Sequence, residues 1–244
     1  MRFINLSNIF LLCLCLTSWA DDTTPQQHWK GEGELGYTLT SGNTDNETIV
    51  SKLGVSYQQN SWINTFKIES LRTESKDSDS GDTVVTANRV TLSDKLSYDI
   101  SEHIYSFFNT RYEEDDFSGF EYQSSATLGA GYRVIKQQDM SLTLESGVGY
   151  QQDRTDDRQM QKGRALRFSE DFAYQITSTT NLTQGLIVEQ GRDNVYSEFN
   201  AGFKVAINDS LALKLSQLIK HNSDVPDDKE NFDRVTTATL VYGF

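Results

Sequence analysis

SLTLESGVGYQQ, residues 141–152, is the stretch that decides the fold. Leu142, Leu144, Val148 and Tyr150 share one parity, and Ser141, Thr143, Glu145 and Gln151 share the other. Gly147 and Gly149 fall on the polar side. Successive side chains of an extended strand point to opposite faces, so a period of two gives one apolar and one polar face. Residues 165–176 repeat the pattern, with Leu166, Phe168, Phe172, Tyr174 and Ile176 against Arg167, Ser169, Asp171 and Gln175. Residues 122–134 do so again, with Ala126, Leu128, Ala130, Tyr132 and Val134 against Gln123, Ser125, Thr127 and Arg133. At helical spacing none of these segments forms a continuous apolar stripe, so they read as strands.

Working outward, the pattern predicts twelve strands, at 29–40, 47–58, 62–73, 83–95, 103–113, 121–134, 141–152, 164–176, 181–190, 195–207, 211–222 and 234–244. Counts of ten or fourteen stay open, because the third and fourth segments are the weakest, Ile63 and Leu71 of the third sitting on the wrong parity. Each segment is close to the ~9–11 residues with which a tilted strand crosses a bilayer. Connections sort into two sets. Residues 59–61, 96–102, 135–140, 177–180 and 208–210 are the shorter set, and 75–82, 114–120, 153–163 and 223–233 are longer and acidic. Short turns on one rim and longer loops on the other describe an antiparallel up-and-down transmembrane β-barrel. An even strand count puts both termini on the short-turn, periplasmic side, with the acidic loops extracellular. Aromatics fall at both rims: Tyr112, Tyr122, Tyr150 and Tyr196 near the long loops, and Tyr57, Trp62, Tyr132, Tyr174 and Tyr242 near the short turns. Amphipathic rings favour the headgroup level. The two prolines, Pro25 and Pro226, avoid the strands, as expected of a closed barrel without edges.

The ends agree. Arg2, an apolar run from Ile9 to Leu16 and the small residues Ser18 and Ala20 form a cleavable secretory leader over 1–20. The segment 21–28 is then a short periplasmic lead-in, and 29–244 is the barrel domain. Cys13 and Cys15 are the only cysteines and lie in the leader, where Leu12 and Leu14 do not suit lipid attachment. The mature chain therefore excludes disulfides and thiolate metal sites. Formal charge is −13, one unit more negative without Arg2, which disfavours a nucleic-acid partner. Mean hydropathy is −0.54, a value that suits a barrel because lipid-facing and lumen-facing residues alternate. The chain ends Leu240-Val241-Tyr242-Gly243-Phe244, with Leu240, Tyr242 and Phe244 on one face. This resembles the C-terminal signal that outer-membrane barrels present to the barrel assembly machinery.

Two stretches carry a family resemblance. The first is Trp29 to Thr44, with Gly33, Leu35-Gly36-Tyr37, Thr40 and Ser41-Gly42-Asn43-Thr44. The second is Tyr112 to Tyr132, with Glu114, Asp116-Phe117-Ser118-Gly119 and Gly129-Ala130-Gly131-Tyr132, followed by Glu145-Ser146-Gly147-Val148-Gly149-Tyr150. Together they resemble the salt-induced outer membrane protein family of the YdiY type, a domain family of unknown function. The resemblance implies a barrel in the outer membrane of a Gram-negative bacterium and a link to salt stress. It supplies no functional residues.

Candidate chemistry is sparse. His28 and His103 lie by the periplasmic side, and only His221 stands at the extracellular end of a strand, near Asp224, Asp227 and Asp228. A hydrolase needs a nucleophile or second carboxylate beside such a base, and Ser216 is the nearest option on the chain. No catalytic or cofactor-binding residues are assigned, no cofactor is expected, and the chain is not expected to be an enzyme. The acidic run Asp77-Ser78-Asp79-Ser80-Gly81-Asp82, with Asp115-Asp116, Asp153 and Asp156-Asp157, suits diffuse divalent cations and lipopolysaccharide contact; it lacks the distant bidentate glutamate of a calcium loop. The metal question stays open. The lumen parity carries Lys30, Glu32, Glu34, Lys52, Arg89, Arg111, Arg133, Glu145, Arg167, Asp171, Glu189, Glu198, Lys204, Lys214 and Lys220. Gly33, Gly36, Gly129, Gly131, Gly147 and Gly149 are expected to make room in the lumen for bulky partners such as Arg133 and Glu145. Three readings follow: a narrow passive channel or envelope protein linked to osmotic stress, a structural or binding barrel without a pore, and a hydrolase with its site near His221.

Overall fold

A computed structural model describes residues 28–40, 45–76, 82–116, 118–155, 158–192, 194–225 and 230–244. The expected leader, the lead-in up to residue 27, Ser41–Thr44, Asp77–Gly81, Asp156, Asp157, Asp227 and Asp228 lie outside the described residues. Twelve strands follow in chain order: β1 Trp29–Thr40, β2 Asp45–Gln59, β3 Trp62–Lys76, β4 Thr83–Asp99, β5 Ile104–Asp115, β6 Phe120–Lys136, β7 Met140–Thr155, β8 Met160–Gln175, β9 Thr180–Gln190, β10 Val195–Ala206, β11 Leu211–Asn222 and β12 Phe232–Gly243. Each pairs antiparallel with its neighbours, and β1 pairs with β12 to close the barrel. All twelve expected strands are present, so counts of ten and fourteen fall away. Closure satisfies the backbone of every strand internally, which a bilayer core demands.

The packing is inside-out. Val148 is 63% exposed on the outer wall while Glu145, three residues earlier on the same strand, is 2% exposed in the lumen. Leu35, Leu128 and Leu166 stand outside, and Glu113, Glu189 and Lys220 are buried inside. Outward polar side chains pair with a neighbour on the next strand: Asn64 donates to Asp94 (3.0 Å), Gln184 to Glu170 (2.9 Å) and Thr236 to Gln217 (2.5 Å). The short-turn rim carries the tilted ring pairs Trp29–Tyr57 and Trp62–Tyr98, with centroids 4.6 and 4.8 Å apart.

Three expectations need correction. First, β7 and β8 run on to Thr155 and from Met160, leaving only 156–159 between them where a loop over 153–163 was expected. The rim asymmetry comes largely from strands that extend past the apolar band, because polar residues such as Asp153, Arg154 and Gln161 keep to the ladder. Second, Tyr196 is not a girdle residue: it shares parity with Glu198, points inward and is 1% exposed. Third, Gly33 faces outward with open space beside it, and of the lumen glycines Gly129 and Gly131 face aromatic rings while Gly36, Gly147 and Gly149 face threonines and backbone. A Cβ on Gly131 would lie 2.1 Å from the Tyr105 ring, and one on Gly129 would lie 2.6 Å from Phe107.

The closing seam is the shortest ladder, pairing Glu32–Leu35 with Leu240–Gly243. Gly31 and Phe244 extend it by exchanging backbone bonds of 2.8 and 2.9 Å. The Phe244 ring lies where a Gly31 side chain would stand.

Candidate functional site

The lumen is the place where buried polar chemistry collects. In a twelve-stranded closed barrel β5 and β11 lie six strands apart in either direction, hence on opposite walls. Glu113 of β5 nevertheless accepts from Lys220 Nζ of β11 through both carboxylate oxygens, at 2.7 and 2.6 Å. Arg111, two residues before Glu113 and therefore on the same face, donates to Glu113 (2.7 Å) and to Tyr196 Oη on β10 (2.9 Å), with its guanidinium 4.6 Å from the Tyr196 ring centroid. Tyr196 in turn donates to Glu198. Nearer the long-loop rim, Gln123 of β6 donates to Asn222 of β11 (3.4 Å), which also accepts from Asn194 (2.8 Å). Phe120 is buried at this level. These contacts span the full width of the barrel. Buried charges are tolerated only when paired and hydrogen-bonded, and here the partner comes from the far wall.

Below this bridge lies a cavity of about 590 Å³. Arg111 and Lys220 line its upper end, and exposed Lys67 and Asp171 are among its lining toward the short turns. One wall is organised around Glu145, which accepts from Lys95, Tyr105 Oη (2.5 Å), Arg167 (3.1 Å) and Ser169 (3.0 Å). Phe107 sits with the Lys95 ammonium 5.3 Å and the Arg167 guanidinium 5.9 Å from its ring centroid. The other wall holds Glu34 with Lys214 (2.5 Å) and Thr239 (3.2 Å), Lys52 with Glu69 (3.0 Å), and Glu32 with Lys204 (2.6 Å). The arrangement is a mixed-charge chamber with ion pairs along both walls.

The sequence placed Arg111, Arg167, Glu145, Lys214 and Lys220 in the lumen, and they are there. It missed Glu69, Lys95, Glu113 and Asp153. Glu113 was legible, since it shares parity with Arg111. Lys95 was legible too, since it shares parity with Arg89, whereas Glu69 was hidden because Ile63 and Leu71, which do face the lumen, invert the apolar pattern of its strand.

Among the described residues His221 and Ser216 lie on opposite faces of β11. His221 shares the outward parity, opposes Phe232 in register and packs on its ring at 4.5 Å. Ser216 faces the lumen and bonds Thr237 (2.8 Å). His28 and His103 each hold a backbone carbonyl, of Gln58 and Arg133, at the short-turn rim. Among the described residues no group of three or more His, Asp or Glu gathers as a metal set.

Comparison with known proteins gives a consistent picture. The family model described as "Protein of unknown function, DUF481" matches residues 33–244. A curated relative from Escherichia coli (strain K12), described as "Uncharacterized protein YdiY", is 23% identical over 223 residues, 91% of this chain and 86% of the relative. An outer membrane channel from Pseudomonas putida F1, COG4313, superposes with a TM-score of 0.53 at 14% identity, covering 91% of this chain and all of that one. The NanC porin gives 0.50 at 9% identity, covering 88% and 97%. At such identities the likeness shows a shared outer-membrane barrel fold.

Proposed function

The chain belongs to the DUF481 family of proteins of unknown function, and from that premise we propose that it is an outer-membrane barrel acting as a narrow passive channel, closed in this conformation by ionic side chains that join opposite walls. The observation that carries the reading is the Glu113–Lys220 pair, which crosses the lumen from β5 to β11. Twelve strands enclose a lumen between the side-chain-filled eight-stranded barrels and the open sixteen-stranded porins. The cavity beneath the bridge supplies water and fixed charges of both signs, so small ions are its natural solutes.

The remaining placement follows the same reading. The leader 1–20 is cleaved, both ends of the mature chain are periplasmic, and the long-loop rim meets lipopolysaccharide. The outward Leu240, Tyr242 and Phe244, all exposed, serve as the signal to the barrel assembly machinery. The family resemblance adds the setting of salt or osmotic stress. A barrel with no pore is the second reading, supported by the same bridge if it never opens.

Solute entry into proteoliposomes decides between them. Wild type admits glycine slowly and Lys220→Met faster, because the far-wall partner is gone. Rates equal to empty liposomes in both proteins leave a barrel without a pore and overturn the channel.

A further inference from the structure

We propose that Gln151, Asp153 and Gln161 hold a single hard cation of the Ca²⁺ class at the long-loop rim. Gln151 and Asp153 are two apart on β7, so both face inward, and Gln161 of β8 stands directly opposite Asp153 in register. Gln151 is opposed by Gly163, and Gly191 lies beside it; a Cβ on Gly191 would come within 2.7 Å of Gln151 Oε1. The missing side chains leave a cavity of about 10 Å³ lined by all three residues, the room one water-sized particle occupies.

Three oxygens in this pocket, Gln151 Oε1, Asp153 Oδ1 and Gln161 Oε1, are buried without a hydrogen-bond partner. Asp153 is 3% and Gln151 7% exposed. The amide orientations are fixed by carboxylates: Gln151 Nε2 donates to Asp153 Oδ2, and Gln161 Nε2 donates to Asp224 (3.4 Å). Turning either amide over would set oxygen against oxygen. One water has two protons and leaves the third acceptor unmet. A hard cation takes carboxylate and amide oxygens together. Lys162 and Arg192 also border the pocket, but both side chains are exposed. The site does not depend on whether the lumen conducts.

The test is equilibrium dialysis of the detergent-purified barrel against ⁴⁵Ca²⁺ in sodium chloride buffer, with heat-dependent gel mobility confirming the fold of each variant. The expected result is saturable binding of one Ca²⁺ per chain, weakened at least tenfold by Asp153→Asn and by Gln161→Leu and unchanged by Asp116→Asn on the same rim. Absence of saturable binding in the wild type overturns the proposal. So does an equal loss in all three variants, which would mean diffuse adsorption to acidic loops.

Discussion

At the residue scale, parity separates what was legible from what was not. Glu145, Arg167 and Lys220 read as lumen residues because apolar residues dominate the opposite parity of their strands. Tyr196 read as a girdle aromatic because it ends a strand, yet its parity with Glu198 already pointed inward. The glycines show the limit: alternation says which face a glycine is on, but not what fills the space it leaves. Gly131 is covered by Tyr105, whose hydroxyl holds Glu145 at 2.5 Å. Gly131→Ala therefore destabilises the barrel by about 1–3 kcal/mol, the usual cost of overpacking. Gly33→Ala, with nothing within 4 Å, is neutral or stabilising by about 0.5–1 kcal/mol, since alanine loses less entropy in a strand. Urea unfolding in lipid vesicles, followed by tryptophan fluorescence, measures both; equal effects would remove the packing argument.

At the element scale, the existence of all twelve strands was readable and their ends were not. Polar residues past the apolar band look like loop in a sequence, but in a closed barrel each finds a ladder partner, as Asp153 does in Gln161 and Glu114 in Val90. Register between β1 and β12 had no local signal at all, because it is set by closure of the whole sheet. The observed seam pairs Leu35 with Leu240. Directly opposed strand residues lie within disulfide reach, and the mature chain is free of cysteine if the leader is removed. Leu35→Cys with Leu240→Cys should cross-link on oxidation and release on reduction, seen as a mobility change on denaturing gels. Cross-linking of Leu35→Cys to Val241→Cys in preference would place the register one residue away.

At the scale of the whole molecule, the sequence carries the inside-out plan but not the bridge. Twelve alternating segments specify a lumen lined by both signs of charge, yet which charge meets which depends on barrel diameter and strand stagger. Only the closed sheet brings Glu113 and Lys220 together across 107 residues of chain. Breaking one partner of a buried pair typically costs about 3–5 kcal/mol by stranding the other, and here that cost falls on the closed state. The most direct measurement is the open probability of single barrels in planar bilayers for wild type, Glu113→Gln, Lys220→Met and the double variant. The account predicts a mostly closed wild type, a rise of at least tenfold in either single variant, and little further rise in the double, since both substitutions remove one bridge. Steady conductance in the wild type, or additive effects of the two substitutions, would contradict it.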